Sequence, residues 1–91
     1  MNNLSVISAG QLVCNNGEMA KLTKNEFNVF YELFKAKGKK VSREEIYREA
    51  FNKQLNVRNI DVHVFNARKK LKDIGVSILT IRGFGYKLQI V

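Results

Sequence analysis

Residues 58–71 read RNIDVHVFNARKKL and hold four Arg or Lys side chains, the only histidine of the chain and one carboxylate, Asp61. Two asparagines, Asn59 and Asn66, stand among them. Guanidinium and ammonium groups at this density, mixed with carboxamides that both donate and accept, suit recognition of an anion. Bond-making chemistry has little to draw on. The chain has one His and one Cys, with no metal-ligand cluster, no phosphate-cradling glycine loop and no close carboxylate pair. It reads as no enzyme, with no cofactor and no metal site.

Charge points the same way. Sixteen Lys and Arg against eight Asp and Glu give +8, and the excess is uneven. Residues 1–57 carry nine basic and six acidic side chains, residues 58–91 seven and two. A polyanion is the natural partner of such a C-terminal third: DNA, RNA or an anionic membrane surface. The lone Cys14 excludes an internal disulfide framework and fits a reducing cytoplasm. No apolar run reaches the length of a membrane span, and the start MNNLSVISAG lacks the form of a secretion signal. The chain is expected to be cytoplasmic, with no membrane partner.

Those cations must be carried by something rigid. At 100° per residue, Ile60, Val64, Ala67, Leu71 and Ile74 fall in a stripe about 80° wide, the buried face of a helix from about residue 59 to 74. Asn59, Val62, Phe65, Asn66 and Lys69 then point outward. His63 and Lys70 line one margin, and Asp61, Arg68 and Lys72 the other. A charged face opposite an apolar stripe is usually only a solvated face. Here the helix follows two others and precedes a hairpin, which is where helix-turn-helix proteins place the helix that enters the major groove.

The rest of the chain supplies that frame. Residues 4–21 alternate apolar and polar in short pieces broken by Ala9-Gly10 and Asn15-Asn16-Gly17, as in a small antiparallel sheet. Thr23-Lys24-Asn25-Glu26 has the form of a capping box. Phe27, Phe30, Tyr31 and Phe34 follow at helical spacing, Val29 and Leu33 add a second apolar face, and Gly38 supplies a left-handed stop. A second capping box, Ser42-Arg43-Glu44-Glu45, opens a shorter helix to about residue 51, and residues 52–57 form a short loop. VSILTI and YKLQIV flank Arg82-Gly83-Phe84-Gly85 as a hairpin. One α+β domain is expected over residues 1–91, with its core at about 4–90.

RNIDVHVFNARKKL followed by TIRGFGYKL resembles the C-terminal effector domain of the OmpR/PhoB family of bacterial two-component response regulators, whose approximate pattern is R-T-V-D-V-H-I-x-x-L-R-K-K-L and then V-R-G-x-G-Y. LTKNEF and VSREEIY match the family's approach to its first and second helices. The resemblance implies a winged helix-turn-helix: an N-terminal antiparallel sheet, three helices and a C-terminal β-hairpin wing, binding double-stranded DNA to regulate transcription. Carried over by position, Arg58, Arg68, Thr80 and Tyr86 would hold phosphates, with His63 a further backbone contact. Asn59, Val62 and Asn66 would face bases, and Arg82 would reach into the minor groove. Guanidinium forks suit phosphate oxygens, Val62 could touch a thymine methyl, and Asn66 could pair with adenine.

The sequence departs from the family in several places. Phe65-Asn66 stands where basic or polar residues are common, and Ala67 replaces a usual leucine. The loop before Arg58 lacks the aromatic content common near the second helix, which bears on contacts to RNA polymerase. No phosphoacceptor receiver domain is present, so the chain reads as an excised effector domain or a stand-alone regulator. A second copy on tandem half-sites is a further implied partner. The alternative is a winged-helix module that docks proteins, with Phe65 as its exposed anchor.

Overall fold

The structure is a computed structural model that describes residues 4–51 and 60–90. Three short strands come first: β1 (Ser5–Ile7), β2 (Leu12–Asn15) and β3 (Glu18–Lys21). They form one antiparallel sheet in the order β1-β2-β3. The β2–β3 turn uses Asn16 and Gly17, with φ of 53° and 85°. Two consecutive left-handed residues are what a tight primed turn demands, and Asn-Gly supplies them at least cost. The register pairs Val6 with Val13 and Val13 with Ala20, so one row faces the core while the intervening residues face outward.

Helix α1 (Lys24–Lys35) starts on the expected capping box. The Glu26 amide donates to Thr23 Oγ1 at 3.2 Å, and the Thr23 amide donates to Glu26 Oε1 at 2.9 Å. Val29, Phe30 and Leu33 are its most deeply buried residues, whereas Tyr31 is exposed and Phe34 only partly buried. The stripe expected through Phe27, Phe30, Tyr31 and Phe34 is thus rotated toward the Val29–Leu33 side. The cause is docking: the helix packs against the two later helices and the C-terminal hairpin, and Tyr31 stacks at the rim with Phe27 and Phe34. Each fully buried phenylalanine or leucine contributes roughly 1.5–3 kcal/mol. The helix ends at Lys35 with Ala36 as its C-cap, and the chain then turns away through two left-handed residues, Lys37 and Gly38, with φ of 53° and 89°.

A two-residue strand, β4 (Val41–Ser42), leads directly into α2 (Arg43–Phe51). Ser42 Oγ accepts from the Glu45 amide at 3.0 Å, the N-cap bond expected there. Helix α3 (Ile60–Lys72) follows, and then β5 (Val76–Ile81) and β6 (Gly85–Ile90). The second sheet has the order β4-β6-β5 and is antiparallel throughout. β4 was not expected from the sequence. Its existence explains Gly85: a Cβ there would lie 2.1 Å from the Val41 carbonyl oxygen. Only glycine lets β6 approach β4 that closely. The result is the expected N-terminal sheet, helical layer and C-terminal hairpin, with the wing stitched to the start of α2 through the Arg43 amide, which donates to the Phe84 carbonyl at 3.1 Å.

Candidate nucleic-acid interface

Helix α3 buries the face expected of it. Ile60, Val64, Ala67 and Leu71 are buried, and Ile74 remains so in the turn beyond the helix end. The opposite face is open, with Val62 50% and Phe65 57% exposed. Asn66 and His63 are half-buried beside them. The ammonium of Lys69 stands 4.7 Å from the centre of the Phe65 ring. Arg58 and Asn59 lie outside the described residues, as does the 52–57 loop.

Arg68 and Thr80, each expected at phosphate, are in contact with each other. Arg68 Nε donates to the Ile78 carbonyl at 3.0 Å, and an Nη donates to Thr80 Oγ1 at 3.0 Å. These bonds occupy two of the five guanidinium donors. Thr80 Oγ1, as an acceptor from Arg68, still has its own proton to donate. Arg68 therefore ties the margin of α3 to the strand that leads into the wing. Arg82 is exposed at the hairpin tip beside Gly83, whose φ of 73° shapes the three-residue turn. Phe84 is part-exposed under the ammonium of Lys40, 4.9 Å from its ring centre.

Tyr86 sits differently from the other expected contacts. It is only 4% exposed, and its hydroxyl donates to Asp61. Arg43 completes a three-residue cluster: its Nε meets Asp61 Oδ1 at 3.0 Å, an Nη donates to the Tyr86 hydroxyl at 3.3 Å, and its guanidinium lies over the Tyr86 ring. The Tyr86 hydrogen bond holds the Asp61 carboxyl below the usual carboxylate range, against burial. Burial, with the proton given to Asp61, pushes the Tyr86 phenol up. A phosphate oxygen would have to replace Asp61 as the acceptor of that proton. Asp61, which helical spacing puts on a margin of α3, thus has its ion-pair partner in Arg43 of α2, a residue that the sequence marks only as part of a capping box.

Lys70, read as a marginal cation, is committed inward. Its ammonium meets Glu26 Oε1 at 2.7 Å, and Glu26 is 4% exposed. Burial pushes the Glu26 carboxyl up, but the bonds from Lys70 and Thr23 outweigh it, so the group sits below its ordinary value. Asn15, read as part of a turn, is buried and donates to the Ile74 carbonyl at 2.6 Å, fixing the end of α3 to the first sheet. The cations left outward on α3 are Lys69, Lys72 and the free edge of Arg68. Among the described residues no group of His, Cys, Asp or Glu could hold a metal ion, and no helix is long and apolar enough to cross a membrane.

Comparison with known proteins bears on this geometry. Residues 17–88 match the family model described as "Transcriptional regulatory protein, C terminal". The transcriptional regulatory protein VxrB of Vibrio cholerae is 34% identical over 90 residues, covering 97% of this chain and 36% of its own length. The chain spans about a third of the length of the curated relatives it matches. Among solved structures, the DNA-binding domain of CpxR from E. coli is 34% identical at a TM-score of 0.71, covering 93% of this chain and 88% of that one. The DNA-binding domain of the response regulator AdeR, solved in complex with an intercistronic region, is 25% identical at a TM-score of 0.78, covering 100% of this chain and 98% of that one.

Proposed function

The chain belongs to the family of transcriptional regulatory protein C-terminal domains, the OmpR/PhoB-type winged-helix effectors, and from that premise we propose that it binds double-stranded DNA sequence-specifically to regulate transcription. Helix α3 lies in the major groove and presents Val62 and Asn66 to base edges. Arg68 and Thr80 hold phosphate, with Arg58, His63 and Tyr86 as further backbone contacts and Asn59 facing a base. Arg82 enters the adjacent minor groove, where a narrow, electronegative groove favours a guanidinium.

The observation that carries this reading is the Arg68 clamp. A base-reading helix and a minor-groove wing must approach the duplex as one body, and the bonds from Arg68 to Ile78 and Thr80 join them at the margin where phosphate would lie. The family is regulatory, which leaves the protein-docking alternative without support. A second copy on a tandem half-site, and RNA polymerase beside it, are the partners this reading proposes, in the cytoplasm.

Selection of bound duplexes from a random library at two salt concentrations tests the proposal. A short half-site should emerge, with affinity falling steeply as salt rises, by a log–log slope of about −0.9 per phosphate contact. Recovery of unrelated sequences, or binding indifferent to salt, would overturn it. Tandem spacing of the recovered half-sites is the result expected if two copies bind side by side.

A further inference from the structure

Phe65 has no role in the reading above. A single exposed phenyl ring is ordinary on a protein surface. Phe65 is not single: Val62 stands one helical turn before it on the outward face of α3, and both are at least half exposed. Cations flank the pair on its C-terminal side, while Asp61, one turn before Phe65, is tied to Arg43 and Tyr86. Lys69 covers one face of the ring, with Arg68 and Lys72 along the same helix. A cation–π contact favours one orientation of the ring, so a part of it is presented to a partner at reduced entropic cost.

An apolar spot flanked by cations needs an occupant that is apolar at one point and anionic beside it. DNA offers that arrangement in the major groove, where the 5-methyl group of thymine is the one apolar group on any base edge and phosphates flank it. We propose that Phe65, together with Val62, is a specificity-determining residue that reads thymine methyl groups. The inference rests on the DNA-binding reading and names the bases it selects. Residues three apart on a helix are separated by about 4.5 Å along its axis, against about 3.4 Å per base along a strand. The two side chains thus meet thymines at neighbouring or next-neighbouring positions.

Deoxyuridine is the probe, because it lacks only the methyl and keeps the hydrogen-bonding edge of thymine. On the duplex selected by wild type, each thymine is replaced in turn and affinity is measured by fluorescence anisotropy. Wild type should lose about fourfold at each contacted methyl. Phe65→Ala should bind the thymine and deoxyuridine duplexes equally at one of those positions and still discriminate at the other. Val62→Ala should show the reverse. Both residues are exposed, so unchanged thermal melting is expected and checks that each variant folds. If Phe65→Ala keeps full thymine discrimination at every position while salt-dependent duplex binding persists, the role of Phe65 is overturned and DNA binding stands. If wild type binds no duplex in a salt-dependent way, both readings fall together.

Discussion

Glu26 caps the first turn of α1 and accepts from Lys70 of α3 through the same oxygen, Oε1, at 2.9 Å from the Thr23 amide and 2.7 Å from the Lys70 ammonium. One buried carboxylate thus fixes the start of one helix and the tilt of another, the one proposed to read bases.

Substitutions at Glu26 separate the two duties. Glutamine can keep the capping bond while losing the charge, and alanine loses both. Glu26→Ala should cost about 1–3 kcal/mol by urea denaturation, with Glu26→Gln clearly less harmful. The pH dependence follows from the lowered carboxyl. A group depressed in the folded state contributes stability that is complete above its ordinary value of 4.5 and is lost as pH falls through the folded value. Wild type should therefore lose stability on acidification below about pH 4.5 more steeply than Glu26→Gln. Parallel acid profiles would remove the ion pair as the cause.

Gly85→Ala should detach the wing from α2. Its Cβ would stand 2.1 Å from the Val41 carbonyl oxygen and 2.8 Å from the Ser42 Cα, both backbone atoms that no rotamer change can clear. β4 must separate from β6, at a cost of about 1–3 kcal/mol or more. Gly83→Ala meets no atom nearby and pays only for its positive φ. Denaturant midpoints of the two variants should rank Gly85→Ala well below Gly83→Ala.

Local chemistry was legible in the chain, and docking was not. The Thr23–Glu26 capping box, the Asn16-Gly17 turn and the buried stripe of α3 each follow from spacing within a few residues, where helix or turn geometry alone decides. The Glu26–Lys70 pair joins residues 44 positions apart, and the Arg43–Tyr86 bond residues 43 apart. Nothing in either neighbourhood names the other. β4, at two residues, is too short to show an alternating pattern, and the spacing of the α1 aromatics defines a face but not which neighbour covers it. Val62, His63, Asn66, Arg68, Thr80 and Arg82 are all at least partly open to solvent; the alternation of Tyr86 and Leu88 with Lys87 and Gln89 puts Tyr86 on the buried face, but nothing near it in sequence names Asp61 and Arg43 as the partners of its hydroxyl.

Arg68→Ala should act on affinity and rigidity together. Loss of one phosphate contact lowers the magnitude of the log-affinity against log-salt slope by about 0.9, equally for all sequences. Arg68→Lys restores the charge but not a planar fork able to hold Ile78, Thr80 and phosphate at once. Lysine should therefore recover the slope while hydrogen exchange at the β5 amides near Thr80 stays faster than in wild type. An unchanged slope in Arg68→Ala would remove this residue from the interface.

Asn66 is the sharpest test of base reading, because its two possible partners leave different signatures. It stands one turn beyond Val62 and about 120° from the buried stripe, half-buried at the edge of the outward face. From there its carboxamide oxygen can accept from adenine N6 while its amide donates to N7, a two-bond match that no other base offers in the same geometry. Alanine offers neither bond. On the selected site, Asn66→Ala should cost about 1–3 kcal/mol, and a repeated selection should relax the base choice at one position while non-specific affinity barely changes. A carboxamide bound to phosphate behaves otherwise: its loss weakens every duplex by a similar factor and relaxes no position. Uniform weakening would therefore assign Asn66 to the backbone. Relaxation at a position next to a methyl-sensitive thymine would place Asn66 and Phe65 on adjacent steps of one A·T-rich element, the composition that also narrows a flanking minor groove for Arg82.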